Sequence, residues 1–407
     1  MGAGFSRLMS VFRAEWVLPI TDDPIHDGWV AVENGRITAV GPEPPAGATD
    51  LGRVAVLPAL VNAHTHLELS YLRNKVAPRD NFLDWIRPLM AARRAFPDPA
   101  DPAILQAARA AIQEARASGT ALVGDISNTL VTIPLLREAG MRGHVFFELL
   151  GFNTPDPEAR VSDARARIEE SGGSDDAVRI NLAAHAPYSV SPELFAAIRT
   201  DLDAQPDGIS SVHLAESPDE MEFMARGSGA WPVLLRELGA WSDAWTAPGK
   251  SPVAYLSEIG FLDSRVLAIH AVQCSGDDLA HLRAIGATVV SCPRSNRHVG
   301  VGDPPIEAFY AMGVSVAFGT DSLASVEDLN MFAELAAARR LAPRVPPRDL
   351  LRSATLCGAR ALGFGDRFGS IEPGKAAALI AVRLPDDLDD VEEYLVSGVT
   401  PDAIQWI

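Results

Sequence analysis

The chain has little cysteine: three residues in 407, Cys274, Cys292 and Cys357, with no C-x-x-C pair among them. That argues against a disulfide framework and predicts buried thiols in a reducing compartment. No run reaches the roughly 18 consecutive apolar residues of a membrane-spanning helix. The opening "MGAGFSRLMSVFRAEWVLPI" has no uninterrupted apolar core followed by a small-residue cleavage site, so a cytoplasmic protein is expected. Positive charge is also scarce, 35 Lys and Arg against 53 Asp and Glu, for a formal net charge of −18. So acidic a surface repels phosphate backbones and anionic lipid, and neither nucleic acid nor a membrane is expected as a partner. Internal repeats, low-complexity tracts and flexible linkers are missing. So are two metal signatures: there is no H-E-x-x-H helix, and Pro293 is not followed by the second cysteine that an H-x-E…P-C-x-x-C site requires.

What is present reads as globular: 47% hydrophobic and 22% charged residues, in a length that suits one large domain and a smaller one. Residues 8–57 have the texture of short strands broken by turns, as in "WVAVENGRITAVG", where Asn34-Gly35 marks a tight hairpin. After residue 58, apolar strand-like runs alternate with amphipathic helical stretches such as "AILQAARAAIQEARAS". The strand candidates are "LVNAHTHL", "TALVGDIS", "RGHVFFELLG", "RINLAAHAPY", "SSVHLAES", "VLAIHAVQ", "ATVVSCPRS" and "SVAFGTDS". Eight such units in an α/β chain match a closed (β/α)₈ TIM barrel, with an open doubly wound sheet as the alternative. Polar residues gathered at the ends of many different strands favour the barrel. "GSIEPGKAAALIAVRLPDD" returns to strand-and-turn texture. The expected organisation is a catalytic barrel over 58–365 and a small β-sandwich built from 1–57 plus 366–407. An insertion over 217–265, carrying Trp231, Trp241 and Trp245, has the length of a lid over a pocket, or is a plain structural excursion.

The chemistry begins in "LPALVNAHTHLELS". Side chains alternate along a strand, so His64 and His66 share a face and Thr65 does not. His185 falls at the end of the fourth candidate strand, His213 of the fifth, His270 of the sixth, and Asp321 of the eighth. In a barrel those ends converge, and imidazoles with a carboxylate suit Zn²⁺ or a related divalent cation. Four other histidines are set aside: His26 and His298 in loops, His281 on a polar helix, His144 at the wrong end of its strand. Glu216 lies three residues past His213. There it can protonate a ring nitrogen or leaving group, or serve only as a first-turn carboxylate of the next helix.

Together "LPALVNAHTHLE", "HAPYSVSPEL", "HLAES", "VLAIHAVQ", "SCPRSN", "GTDSLAS" and "GSIEPGKAAALIAV" resemble the amidohydrolase superfamily. The likeness is to its single-metal branch of cytosine, adenosine and S-adenosylhomocysteine deaminases and triazine chlorohydrolases. The resemblance implies one divalent metal ion, Zn²⁺ first with Fe²⁺ or Mn²⁺ able to use the same ligands, held by His64, His66, His213 and Asp321. It implies that Asp321 takes a proton from the attacking water, that His270 orients that water, and that Glu216 shuttles a proton to the ring. His185 would contact the substrate ring.

Within the branch the chain is most similar to aminodeoxyfutalosine deaminases of the futalosine route to menaquinone, whose substrate is an adenine nucleoside bearing a carboxyphenyl ketone. Where S-adenosylhomocysteine deaminases carry a ribose-binding acid shortly after a Trp, "FLDWIRPLMAARRAF" has Arg93 and Arg94. Where they read "HNPxSN", this chain has "SCPRSN", with Arg294. From these departures Arg294, or the loop arginine Arg87, is expected to pair with the substrate carboxylate, since a guanidinium matches a planar carboxylate through two parallel hydrogen bonds. Trp85, by stacking, and Glu148, by hydrogen bonding, complete the expected pocket; a capping arginine and a core tryptophan are the plain alternatives. Ala378 stands where the closing motif usually has an acid. Other activities of the branch remain open: deamination of S-adenosylhomocysteine, methylthioadenosine or adenosine, or hydrolysis of a chlorinated triazine or pyrimidine. A non-catalytic scaffold is a third class, against which the complete ligand set speaks. The expected partner is a small nucleoside, and a homodimer is compatible with the sequence.

Overall fold

The computed structural model describes residues 9–407. Residues 1–8 of the expected amino-terminal segment lie outside that range. The eight candidate runs form strands: β1 (Leu60–Thr65), β2 (Thr120–Ser127), β3 (Arg142–Leu149), β4 (Val178–Ala184), β5 (Ser210–Leu214), β6 (Val266–His270), β7 (Thr288–Ser291) and β8 (Ser315–Phe318). Nearly every residue in them is buried, as their continuous apolar character requires when both faces are covered.

The strands form two four-stranded parallel sheets, β1-β2-β3-β4 and β5-β6-β7-β8. The sheets meet at both edges. The His213 N–H donates to the His185 carbonyl (2.8 Å), and the Asp321 N–H donates to the His64 carbonyl (3.0 Å). One buried cluster draws Val61, Leu122, Phe146, Ala183, Leu267, Val290 and Ala317 from seven of the strands. The molecule is thus an α/β fold with the carboxyl ends of β1, β4, β5 and β8 brought side by side. Gly319, just after β8, permits the closest of these approaches: a Cβ there would lie 2.7 Å from the His64 carbonyl oxygen and from its Cβ.

The intervening helices follow from ordinary signals. Pro102–Ala117 starts at Asp101, whose carboxylate accepts from the Ala103 N–H, and buries Ile104, Ala108, Ala111, Ile112 and Ala115 along one stripe. The 217–265 insertion folds into three short helices, Pro218–Arg226, Trp231–Glu237 and Pro252–Glu258.

Away from the parallel sheets, strands Trp29–Glu33 and Arg36–Gly41 form a hairpin. Asn34 (φ 52°) and Gly35 (φ 73°) take the left-handed conformations its two-residue turn needs. Strand Leu379–Arg383 pairs antiparallel with Val54–Pro58 and with Ile404–Trp406, so one five-stranded sheet draws on both ends of the described chain. Among the described residues no helix is long and apolar enough to cross a membrane.

Candidate active site

His64 is fully buried near the end of β1, and among the described residues neither of its ring nitrogens has a hydrogen-bond partner. Strand β1 stops at Thr65, so His66 is not a strand residue as expected; it opens the short helical turn Leu67–Leu72. Its ring nevertheless reaches the same place. Donor atoms of His64, His66 and His213 all lie within 4.8 Å of one another. Asp321 Oδ1 is 3.3 Å from His66 Nε2 and 3.6 Å from His64 Nε2. Its other oxygen accepts from the Ser295 hydroxyl (2.6 Å) and the Ser325 hydroxyl (3.3 Å), which aims Oδ1 at the imidazoles. His213 Nδ1 is 3.0 Å from the His185 carbonyl oxygen; donating there leaves Nε2 with a free lone pair.

A buried imidazole with both nitrogens unpaired is costly, and a divalent cation relieves that cost. The donor set, three imidazoles and one carboxylate around a common point, fits such an ion. Electrostatics agree. Burial, opposed by Asp321, lowers His66 to about 4, and burial likewise lowers His270 to about 3. Burial and the neighbouring His185 and His64 hold His213 well below the usual imidazole range. The rings are therefore neutral, with lone pairs available. For Asp321 burial acts upward, but the close imidazoles of His64 and His66 overcome it and keep the carboxyl well below its ordinary value.

The backbone is held in costly conformations at this point. His270 (φ 72°) and Asp321 (φ 61°) are both left-handed, as are Ala215 and Ala271 beside Glu216 and His270. Such non-glycine positions cost on the order of 1–3 kcal/mol each and persist where surrounding structure enforces them.

Glu216, buried just beyond β5, has Oε1 3.5 Å from His270 Nε2. Burial, reinforced by Asp321 and Glu220, pushes its carboxyl well above the usual range, the direction that favours the protonated form. Glu220 sits behind it, accepting from the backbone N–H groups of Ala215 (2.9 Å) and Glu216 (2.8 Å), and is itself raised by burial to about 7. Asn296 Nδ2 is 3.0 Å from His270 Nδ1; an amide donating there places the imidazole proton on Nε2, toward Glu216.

His66, His213, Glu216, His270 and Asp321 line a cavity of about 90 Å³ together with Trp85, Glu148 and His185, and with Leu69, Phe82, Arg93, Asn128 and Tyr188. Glu148 accepts from Asn128 Nδ2 (2.9 Å), and His185 Nδ1 lies 2.6 Å from the Ser189 hydroxyl. The insertion buttresses this wall: the Trp231 ring stacks on Tyr188 with centroids 3.8 Å apart.

Neither arginine expected to meet a substrate carboxylate faces the cavity. Arg294 donates from Nε to Glu334 (2.6 Å) and from its terminal nitrogens to the Asp328 carboxylate and carbonyl (both 2.8 Å). Its charge is consumed by Glu334, a carboxylate with no solvent of its own. Arg87 is an exposed partner of Glu237 on the insertion. The guanidinium that does reach the cavity is Arg93. The signal was helical phase: in Phe82–Arg94, residues 85, 89 and 93 follow at intervals of four, so Arg93 shares the face of the buried Trp85 and Leu89, whereas Arg87 does not. Asn128, Ser295 and Glu220 carried no comparable sequence signal.

Comparison with known proteins follows the same lines. The amidohydrolase family matches over residues 55–402. The chain is 33% identical over 330 residues to an aminodeoxyfutalosine deaminase of Deinococcus radiodurans, covering 78% of this chain and 76% of that protein. It is 29% identical over 410 residues to a 5-methylthioadenosine/S-adenosylhomocysteine deaminase of Moorella thermoacetica, covering 95% and 90%. Among solved structures, an adenosine deaminase from Xanthomonas campestris with bound zinc superposes with a TM-score of 0.83 at 29% identity, covering 97% of this chain and 90% of that one.

Proposed function

The chain belongs to the amidohydrolase family, and from that premise we propose that it is a metal-dependent hydrolytic deaminase of an adenine nucleoside, with aminodeoxyfutalosine as its substrate. The observation that carries the proposal is the convergence of His64, His66, His213 and Asp321 beside the buried carboxyl of Glu216. These four residues would hold the cation, Zn²⁺ by donor type, with Fe²⁺ or Mn²⁺ able to substitute. Bound there, the ion supplies a water acidic enough to act as a nucleophile near pH 7.

The chain's own groups do the rest. Asp321 Oδ1 accepts the water proton while Ser295 and Ser325 hold its other oxygen in place. His270 directs its Nε2 proton at the oxygen being added to the ring carbon. Glu216 gives its proton to the adjacent ring nitrogen. The proton held by Asp321 passes to the amino group, which leaves as ammonia, and the Glu216 carboxylate takes back a proton from the added hydroxyl as it becomes the carbonyl. Trp85 offers a face for the purine; Glu148 and His185 offer hydrogen bonds to its edge. The product would serve menaquinone biosynthesis.

We take the two parallel sheets as one closed (β/α)₈ barrel, supported by the hydrogen bonds at both edges and the shared interior cluster. Residues 9–57 and 366–407 would form the accompanying β-sandwich. Deamination of methylthioadenosine or S-adenosylhomocysteine is the second reading, favoured by the near-complete coverage of the Moorella relative. An ammonia-release assay with aminodeoxyfutalosine, adenosine, methylthioadenosine and S-adenosylhomocysteine decides between them. The highest kcat/KM is expected for aminodeoxyfutalosine; no ammonia from any of the four by the zinc-loaded enzyme would end the proposal.

A further inference from the structure

Glu220 has no exposed surface, and among the described residues no cation pairs with it; its partners are backbone N–H groups. A buried carboxylate without a cation is costly, and a neutral side chain of the same size would avoid that cost. Its two oxygens are spent on one turn: Oε1 accepts from the Ala215 N–H (2.9 Å) and Oε2 from the Glu216 N–H (2.8 Å). We propose that Glu220 is a positioning residue, whose carboxylate clamps the turn that carries Glu216 and so fixes that acid beside His270. The proposal rests on Glu216 being the proton donor of the deamination proposed above, and it names the group that holds the donor in place.

Helix capping alone does not explain the arrangement. Ser217-Pro-Asp-Glu220 has the spacing of a capping box, which marks a helix start and in which the acid serves the N–H of the cap residue itself. The Ser217 N–H is one contributor here. The two hydrogen bonds, however, run on to Ala215 and Glu216, outside the helix Pro218–Arg226. Ser217 performs the cap's other half, its hydroxyl accepting from the Glu220 N–H (3.2 Å).

The turn needs holding. Ala215 is left-handed (φ 50°), a conformation that a non-glycine residue leaves when nothing enforces it. Glu216 follows directly, so relaxation at Ala215 would swing the catalytic carboxyl away from the cavity. Glu220 opposes this from one side. From the other, the Ala215 carbonyl accepts from the Gln273 N–H (2.8 Å), and the Leu214 carbonyl accepts from the Ala271 N–H (3.0 Å). Gln273 is itself anchored, donating from Nε2 to the Val301 carbonyl (2.7 Å). The turns that carry Glu216 and His270 are thus tied to each other, with Glu220 as the outer tie. Each of its oxygens has an N–H donor, which an ionised acid satisfies. A glutamine offers one acceptor and one donor group, so one of the two backbone N–H groups would face another N–H.

The test is Glu220→Gln, made in the wild type and in Glu216→Gln, with kcat and KM measured on whichever of the four nucleosides the wild type turns over fastest. In the wild type it is expected to lower kcat by about 10- to 100-fold, the cost of a group misplaced by about an ångström, with KM and bound zinc little changed. In Glu216→Gln the same substitution should cost less than about twofold, because residues that act as a unit do not lose their effect twice. Glu220→Asp keeps the charge and both acceptors but draws them back by one methylene. It should show the same pattern, and it carries the test if the glutamine variant does not fold. A kcat within about twofold of wild type, or the same fold loss in both backgrounds, overturns the clamp, because a merely structural acid weakens both enzymes alike. If the wild type releases ammonia from none of the four nucleosides, the functional proposal fails instead, and hydrogen exchange judges the clamp. The amides of residues 214–217 should then exchange at least about tenfold faster in Glu220→Gln while those of β4 are unchanged. Wild-type exchange at 214–217, or a uniform rise across the chain, would overturn it.

Discussion

Replacing Arg294 by methionine separates a structural arginine from a substrate-binding one. The side chain is 19% exposed and donates to Glu334, which has no exposed surface, and to Asp328, whose side chain is 44% exposed. The Asp328 contact is near solvent and contributes at most about 1 kcal/mol. The Glu334 contact is different, since removing one partner of a buried pair leaves an uncompensated charge at a cost of roughly 3–5 kcal/mol. With the outer half of the pair partly hydrated, about 3 kcal/mol is the expected loss at pH 8.

Burial raises Glu334 to about 7 even against the pull of Arg294; without the arginine its carboxyl rises further. The folded variant then holds a proton that the unfolded chain, with a pKa of about 4.3, has released. Stability therefore falls as pH climbs from that unfolded value through the folded one. The deficit of Arg294→Met should shrink to about 1 kcal/mol at pH 5.5, where the neutral acid costs little in either protein. Urea unfolding at the two pH values measures this. The double variant Arg294→Met/Glu334→Leu should regain most of the loss. A single variant with the wild-type midpoint at pH 8, and with selective weakening toward a carboxylated nucleoside, would refute the reasoning and restore Arg294 to the substrate.

Glu216→Gln should keep its divalent ion by elemental analysis and lose about 10²–10⁴-fold in kcat, the usual worth of a placed acid–base group; near-normal turnover removes its role. Stripping divalent ions with a chelator should lower the unfolding temperature, and Zn²⁺ at a thousandfold excess over Kd should reverse this, adding about 4 kcal/mol to the unfolding free energy. An unchanged melting curve would mean that the unpaired His64 ring needs no ion. Gly319→Ala puts a Cβ 2.7 Å from His64, so it should weaken zinc affinity and turnover together while leaving the far-UV circular dichroism unchanged. Wild-type zinc affinity in that variant would show that His64 can shift freely.

Much of this molecule could be read before any coordinates. Eight apolar runs became eight buried strands because a strand covered on both faces has few compositions open to it. His64, His213, His270 and Asp321 were legible because each sits where an apolar run ends, a local signal repeated four times. Glu216 was legible from its spacing after His213. Even Arg93 was available in principle, from a four-residue interval on one helix.

Tertiary structure alone decided where the charges are spent. Arg294 and Glu334 are 40 residues apart, and Glu68 meets the loop it anchors across 59 to 61 residues. Apolar periodicity repeats within a segment, so a segment can announce its own buried face. An ion pair is a single long-range event with no period, and which carboxylate reaches which guanidinium is settled only when the strands and helices pack.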